Sequence, residues 1–251
     1  MIDDLVRFLS GMYGWLARRV DPGARTGLAL TAAVLVAAAS AWAFAGMTQG
    51  ALAGEEPVEL DTQVQAWALE HRVGWLTTAM QGLTWLGSSV VLVPVLLAAS
   101  AFFLVARREV RATVEMWVAF LGAVGLYELV KVLVGRPRPP AVDDLVHATG
   151  PSFPSGHMTQ AVVAWGVLAF VLLRDRPRRA RWLVPGAALL ALVVGASRIY
   201  LGAHWLTDVL GGLALGGVWL AVLLILDLST RPPSDEVPAD TAGNQRPGGK
   251  R

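Results

Sequence analysis

The chain has 251 residues, 55% of them hydrophobic and 16% charged, where soluble domains carry roughly a quarter charged residues. Its net charge of +2 leaves no electrostatic footprint for nucleic acid. The absence of cysteine removes disulfides, thiolate catalysis and cysteine-ligated zinc. The apolar residues collect in long runs, as in a bilayer protein.

Residues 1–26 place Ile2, Leu5, Val6, Leu9, Met12 and Leu16 at helical spacing, which predicts an interfacial amphipathic helix. A cleaved leader is the rival reading, disfavoured because the apolar run that follows is longer than a leader's core. Six apolar runs come next, at about 27–46, 83–106, 112–134, 157–173, 182–201 and 204–226. A crossing needs roughly 20 apolar residues, and none of the runs alternates as a barrel strand would. The expected fold is therefore all-α: a polytopic helical bundle with six transmembrane helices spanning 27–228. Between the first two runs, Val64, Trp67, Ala68 and His71 suggest a short surface helix. Trp75, Trp85, Trp182 and Trp205 sit near expected span ends, as anchors would. The tail 229–251 is rich in Pro, Gly, Asp and Arg without an apolar period and reads as disordered.

Placing both termini in the cytoplasm puts 16 of the 21 basic residues on the inner side, the arrangement that the positive-inside rule selects. The first outer segment then holds Arg72 against Glu55, Glu56, Glu59, Asp61 and Glu70. Lys131, Arg136, Arg138 and Arg198 run against the trend, and each needs a reason.

Those cations belong to three short motifs on the outer side. The first is Lys131-Val-Leu-Val-Gly-Arg136-Pro-Arg138-Pro139, the second Pro154-Ser155-Gly156-His157, the third Ser197-Arg198 through His204 to Asp208. A cation beside hydrocarbon is costly unless paired, and Asp143, Asp144, Asp208 and Glu128 are the few acids nearby. An anionic substrate would satisfy the surplus, and arginine's planar fork suits phosphate. Ser155 is a good N-cap, so Pro154-Ser155-Gly156 reads as a helix start, a ready anion site that Gly156 lets a phosphate approach. His204 and Asp208, four apart, share one face if the sixth helix starts near Gly202. A carboxylate there fixes the imidazole tautomer and leaves the other nitrogen free to attack phosphorus. His157, at the helix start, is placed to protonate a leaving alkoxide. Singly, each piece has a plainer reading: Lys131 snorkelling or pairing with Glu128, Arg136 and Arg138 on lipid headgroups, Asp208 as a cap. Their joint occurrence on one membrane face favours the chemical one.

The three blocks resemble the type 2 phosphatidic acid phosphatase superfamily, whose pattern is Lys-x6-Arg-Pro, Pro-Ser-Gly-His and Ser-Arg-x5-His-x3-Asp. Every fixed position is present in order, and the resemblance covers about 60–226. It implies that His204 is the nucleophile and forms a phosphohistidine, that Asp208 orients it, and that His157 is the general acid. It implies that Lys131, Arg138, Ser155, Gly156 and Arg198 hold the phosphate oxygens, with no metal and no cofactor. Arg136 is not a fixed position of the pattern and takes no catalytic role; His71 and His147 have none either, and Glu128 reads as structural.

The function so implied is hydrolysis of a lipid phosphate or diphosphate at the extracytoplasmic face. Phosphatidic acid and related glycerophospholipids, or polyprenyl diphosphates such as undecaprenyl diphosphate, are the candidate substrates. A lipid phosphotransferase that hands the group to an acceptor lipid is the alternative. A silent lipid-binding protein fits poorly with complete motifs, and the vanadium haloperoxidases, which share the site pattern, are soluble. Gly212 and Gly216 form a small-residue pair for close helix packing, within the chain or between chains.

Overall fold

The computed structural model describes residues 25–52, 59–140, 145, 149–175 and 182–230, so that the N-terminal segment up to residue 24, His147 and the tail beyond Thr230 lie outside the described residues. Helices form α1 (Arg25–Leu52), α2 (Glu59–Glu70), α3 (Gly74–Thr84), α4 (Ser89–Ala101), α5 (Val110–Val134), α6 (Gly156–Asp175), α7 (Leu183–Tyr200) and α8 (Leu206–Thr230). There is no strand among the described residues. Six stretches are long and apolar enough to cross a membrane, one in each of α1 and α5–α8 and one, Ser89–Arg107, that begins with α4 and continues through a π-helical segment, Phe102–Arg107. The chain is thus an all-α, multi-pass membrane protein. Helix is what hydrocarbon demands, because it closes every backbone hydrogen bond within the segment. Val105 and Val132, about four-fifths exposed on the protein alone, show the apolar outer surface that lipid covers.

Of the described residues, 25–35 and 222–230 fall in one compact unit and those from Val36 to Ala221 in another. The three motifs lie wholly in the second.

The run expected at 83–106 is divided. Its front belongs to α3 and to a 3-10 turn, Trp85–Gly87, and the crossing starts only at Ser89. Ser88 caps α4, its Oγ accepting from Val90 N at 3.2 Å. The turn is possible because residue 87 is glycine: a Cβ there would lie 2.5 Å from Val194 Cγ1 and 2.8 Å from the carbonyl oxygen of His157. The polar stretch expected to carry one surface helix carries two. α2 is not wholly a surface element, since Asp61, Gln65 and Ala68 are buried. The corner between α2 and α3 is tied to the end of α7, where Arg72 Nε donates to Tyr200 O (3.2 Å) and Val73 N to the Tyr200 hydroxyl (3.0 Å).

α6 is the central helix. More than half of its crossing, 56%, is buried by the protein itself, against 11–39% in the other five. It packs on α5 and α7, with Met158, Ala161, Ala191, Val194 and Val209 forming a core cluster. Gly212 and Gly216 of α8 face α6 of the same chain. A Cβ on Gly212 would stand 2.6 Å from Ser155 O, and one on Gly216 2.9 Å from Val162 Cγ1. These glycines let α8 approach the start of α6 at backbone distance.

Gly212→Ala is therefore expected to cost about 1–3 kcal/mol, read as a lower unfolding temperature in detergent. Gly125→Ala, where an added Cβ meets nothing within 4 Å, is the matched control and should melt at or above the parental temperature. Equal melting of the two variants would contradict the packing described.

Candidate active site

The three motifs converge because each leaves a helix end at the same end of the bundle. α5 ends at Gly135, which takes a left-handed φ of 65° while its N–H returns to Lys131 O (2.9 Å), a conformation glycine adopts without cost. That turn sends Arg136 to Pro139 toward α8. Ser152 holds the segment, with its N–H on Arg136 O (2.8 Å) and its hydroxyl on Pro137 O (2.9 Å). Past α7, Gly202 turns with φ 74°. The backbone N–H groups of Ala203 and His204 then fold onto Arg198 O at 3.0 and 3.3 Å. The second motif is pinned to the third by Ser155 N donating to Asp208 O (2.9 Å).

One cavity of about 250 Å³ is lined by Lys131, Arg138, Gly156, His157, Arg198 and His204 together with Ser88, Ser89, Tyr127, Thr149 and Gln160. Six of the eight residues singled out from sequence thus share one space. Asp208 sits against the far ring nitrogen of His204, and Ser155 is fully buried outside the lining set. Ser155 does not cap α6 by its side chain: its Oγ has no hydrogen-bond partner among the described residues.

Arg138 Nη1 lies 3.2 Å from His204 Nε2 and donates to Ala203 O at 2.7 Å. Its remaining donors reach Gly150 O (3.0 Å) and Thr149 O (3.1 Å). A guanidinium only donates, so Nε2 is the unprotonated nitrogen and Nδ1 carries the proton. Nδ1 stands 3.5 Å from Asp208 Oδ2, too long for a hydrogen bond and close enough for attraction. His204 is not on the α8 helix, contrary to the shared-face expectation. α8 begins at Leu206, and the pairing arises because Asp208 folds back from the first turn, Oδ2 accepting from Trp205 N at 2.9 Å.

Burial dominates the electrostatics of His204. It lowers the imidazole pKa from 6.5 to about 4; Asp208 works the other way, and Arg198 and Arg138 add to the lowering. Burial likewise lowers Arg138, with Asp208 opposing. The imidazole is therefore neutral near pH 7, the form that has a lone pair to offer.

The cations are under-paired. Buried Arg198 makes one side-chain hydrogen bond, from Nη1 to Thr84 Oγ1 (3.0 Å), and its Nε is buried without a partner among the described residues. Lys131 Nζ has Glu128 at 3.9 Å and lies 5.1 Å from the centre of the Tyr127 ring. Such an array of donors suits a multiply charged oxyanion.

Four placements were not visible in the sequence. Arg136 joins two buried carboxylates, Nη1 to Asp208 Oδ1 (2.7 Å) and Nη2 to Asp61 Oδ2 (2.8 Å). Asp61, read only as one acid of an outer segment, is part of the site. Trp205, expected as a membrane anchor, is 7% exposed; its Nε1 donates to Pro137 O at 3.1 Å and its ring lies 5.9 Å from the Arg136 guanidinium. Trp75, Trp85 and Trp182 are exposed as anchors would be. One cavity wall is a polar chain, Ser89 Oγ to Gln160 Oε1 (2.8 Å) and Gln160 Nε2 to the Tyr127 hydroxyl (2.6 Å). Helical spacing from Gly156 places Gln160 one turn beyond the motif, the only sequence signal for it. His71 stacks on Trp67 at 4.7 Å, away from this set.

Comparisons with known proteins place the chain in a family. The profile of the PAP2 superfamily matches residues 112–230. Phosphatidylglycerophosphatase B of Bacillus subtilis is 35% identical over 161 residues, 62% of this chain and 77% of that protein. The undecaprenyl-diphosphatase of Sulfolobus acidocaldarius is 27% identical over 186 residues, 72% of this chain and 84% of that one. Among solved structures, the transmembrane PAP2-type phosphatidylglycerolphosphate phosphatase of Bacillus subtilis superposes with a TM-score of 0.70 at 29% identity, covering 76% of this chain and 97% of that one. The chain belongs to the PAP2 superfamily and is a phosphatase by class.

The lowered pKa of His204 has a consequence for stability. The unfolded chain binds a proton at this residue near pH 6.5 and the folded one only near pH 4. Stability is thus unaffected above pH 6.5 and falls as pH drops from 6.5 toward 4, where the unfolded state takes the extra proton. Thermal unfolding between pH 7.5 and 4.5 should show a shallower acid-side loss in His204→Gln than in the parent; identical slopes would contradict the buried, neutral imidazole.

Proposed function

We propose that the protein hydrolyses a lipid phosphate or lipid diphosphate at the extracytoplasmic membrane face through a phosphohistidine on His204, without a metal. The observation that carries this reading is the shared cavity, which His204, its unprotonated Nε2 held by Arg138, lines together with Lys131, Arg138 and Arg198. At about 250 Å³ the cavity takes a phosphorylated headgroup and leaves the acyl or prenyl chain outside, in the lipid beside the spans.

In the proposed reaction Lys131, Arg138, Arg198 and the N–H groups around Gly156 at the start of α6 hold the phosphoryl oxygens, and Ser155 turns its unpartnered hydroxyl to the same group. Arg138 leaves Nε2 for a phosphoryl oxygen, which frees the lone pair. Nε2 attacks phosphorus in line, the bond from phosphorus to the leaving oxygen breaks, and that oxygen takes a proton from His157. Asp208 attracts the ring as positive charge develops on it. Water then attacks phosphorus, giving a proton to His157, the bond between Nε2 and phosphorus breaks, and orthophosphate leaves. The covalent step divides one displacement into two. The extracytoplasmic assignment is supported by the basic residues, 16 of 21 of which fall on the opposite side of the bundle's sequence map. Phosphatidylglycerol phosphate and undecaprenyl diphosphate, the substrate classes named in the relatives, are the first lipids to offer it.

Purified protein in sealed, right-side-out vesicles should release orthophosphate from lipid phosphate in the outward leaflet, in the presence of EDTA and without an acceptor lipid. His204→Ala should remain folded and lose at least about 10³-fold in turnover. Release that needs an added acceptor would favour the phosphotransferase reading, and parental turnover by His204→Ala would refute the nucleophile.

A further inference from the structure

Asp208 is held from behind by a buried cluster whose other members, Arg136, Asp61 and Thr207, have no part in the steps above. Asp208 offers two oxygens. Oδ2 accepts from Trp205 N at 2.9 Å and lies 3.5 Å from His204 Nδ1. Oδ1 accepts from Arg136 Nη1 at 2.7 Å. The same Nη1 donates to Thr207 Oγ1 at 2.7 Å, and Nη2 donates to Asp61 Oδ2 at 2.8 Å. Asp61 is held in turn by Thr207, through its N–H on Oδ1 (2.9 Å) and its hydroxyl on Oδ2 (2.6 Å). The carboxylates are wholly buried and the guanidinium nearly so.

Arg136, Thr207 and Asp61 close a ring of hydrogen bonds, and Asp208 is joined to it through Arg136. Arg136 is the one member that touches both carboxylates. A carboxylate beside the imidazole would otherwise be free to rotate away. The fork of Arg136 prevents this: Nη1 holds Oδ1 while Trp205 N holds Oδ2, which fixes the plane of the carboxyl group. Asp61, anchored through Thr207 on the first turn of α8, fixes the other half of that fork. The brace thus runs from α2 through the loop after α5 to the residue beside the imidazole.

We propose that Arg136, pinned by Asp61, is a positioning residue of the reaction: it sets the orientation of Asp208, and through it the Nδ1–H tautomer that leaves His204 Nε2 free toward the cavity. The cavity cations hold the substrate, whereas Arg136 lines no part of the cavity. Its loss should act on turnover and leave substrate affinity alone. The inference rests on His204 as the nucleophile, and its test is read against a parent already shown to release orthophosphate.

The variants are Arg136→Gln, Arg136→Lys and Asp61→Asn, each taken as the monodisperse fraction in detergent, with kcat and KM for one lipid phosphate and the unfolding temperature measured together. Arg136→Gln should lower kcat by about 10- to 100-fold, the usual effect of a residue acting through a ligand or base, with KM unchanged. Arg136→Lys should recover part of that loss, since one ammonium cannot serve two carboxylates as a fork does. Asp61→Asn should lower kcat in the same sense, and it decides the matter if Arg136→Gln yields no folded protein. Parental kcat in folded Arg136→Gln or Asp61→Asn, or a loss confined to KM, overturns the inference. A parent that releases no orthophosphate, or an active His204→Ala, would instead count against the proposed function.

Discussion

The structure depends on one electrostatic constraint: positive side chains are gathered in a small cavity where burial has stripped much of their hydration. Lys131, Arg138 and Arg198 line the same 250 Å³. Like charges in a low dielectric repel, and desolvation adds to the cost. The protein tolerates them by partial compensation: backbone carbonyls around Arg138, Thr84 against Arg198, Glu128 at the edge of Lys131. What remains uncompensated, above all Arg198 Nε, is the part an oxyanion would complete.

The fold can be understood as the means of reaching that arrangement from three separate chain segments. α6 is buried at the centre, and glycines at 87, 212 and 216 remove the side chains that would hold α8 and the α3–α4 turn away from its start. Left-handed glycines at 135 and 202 end α5 and α7 so that the following residues turn inward. The neutral His204 is a product of the same packing, because burial outweighs the attraction of Asp208. Asp208 in turn divides its charge between the imidazole and Arg136.

Much of this was legible in the sequence, for identifiable reasons. Membrane spans announce themselves by length and composition, so the six crossings were found with boundaries moved by a few residues. The three motifs stand out because basic residues beside apolar runs, away from the arginine-rich segments, demand a reason. Other features had no local signal. The run at 83–106 is apolar throughout, and only the close approach of Gly87 to α6 and α7 shows why its front is not part of the crossing. Asp61 and Arg136 lie 75 positions apart, and spacing carries no information about a pair joined across three elements. Trp205 looked like an anchor because its neighbours are apolar, yet it is buried with its indole donating to Pro137 O. His204 and Asp208 were paired correctly on a wrong premise: the i, i+4 spacing suggested one helical face, whereas a carboxylate folding back from a helix start brings them together.

The most direct test of the central claim is the binding of orthovanadate, a phosphate mimic, to the purified protein by isothermal titration calorimetry at neutral pH. The account predicts one site per chain in the parent and loss of that binding in Arg198→Gln, whose guanidinium has the least internal pairing. No vanadate binding in the parent, or undiminished binding in Arg198→Gln, would contradict the cavity as an oxyanion site.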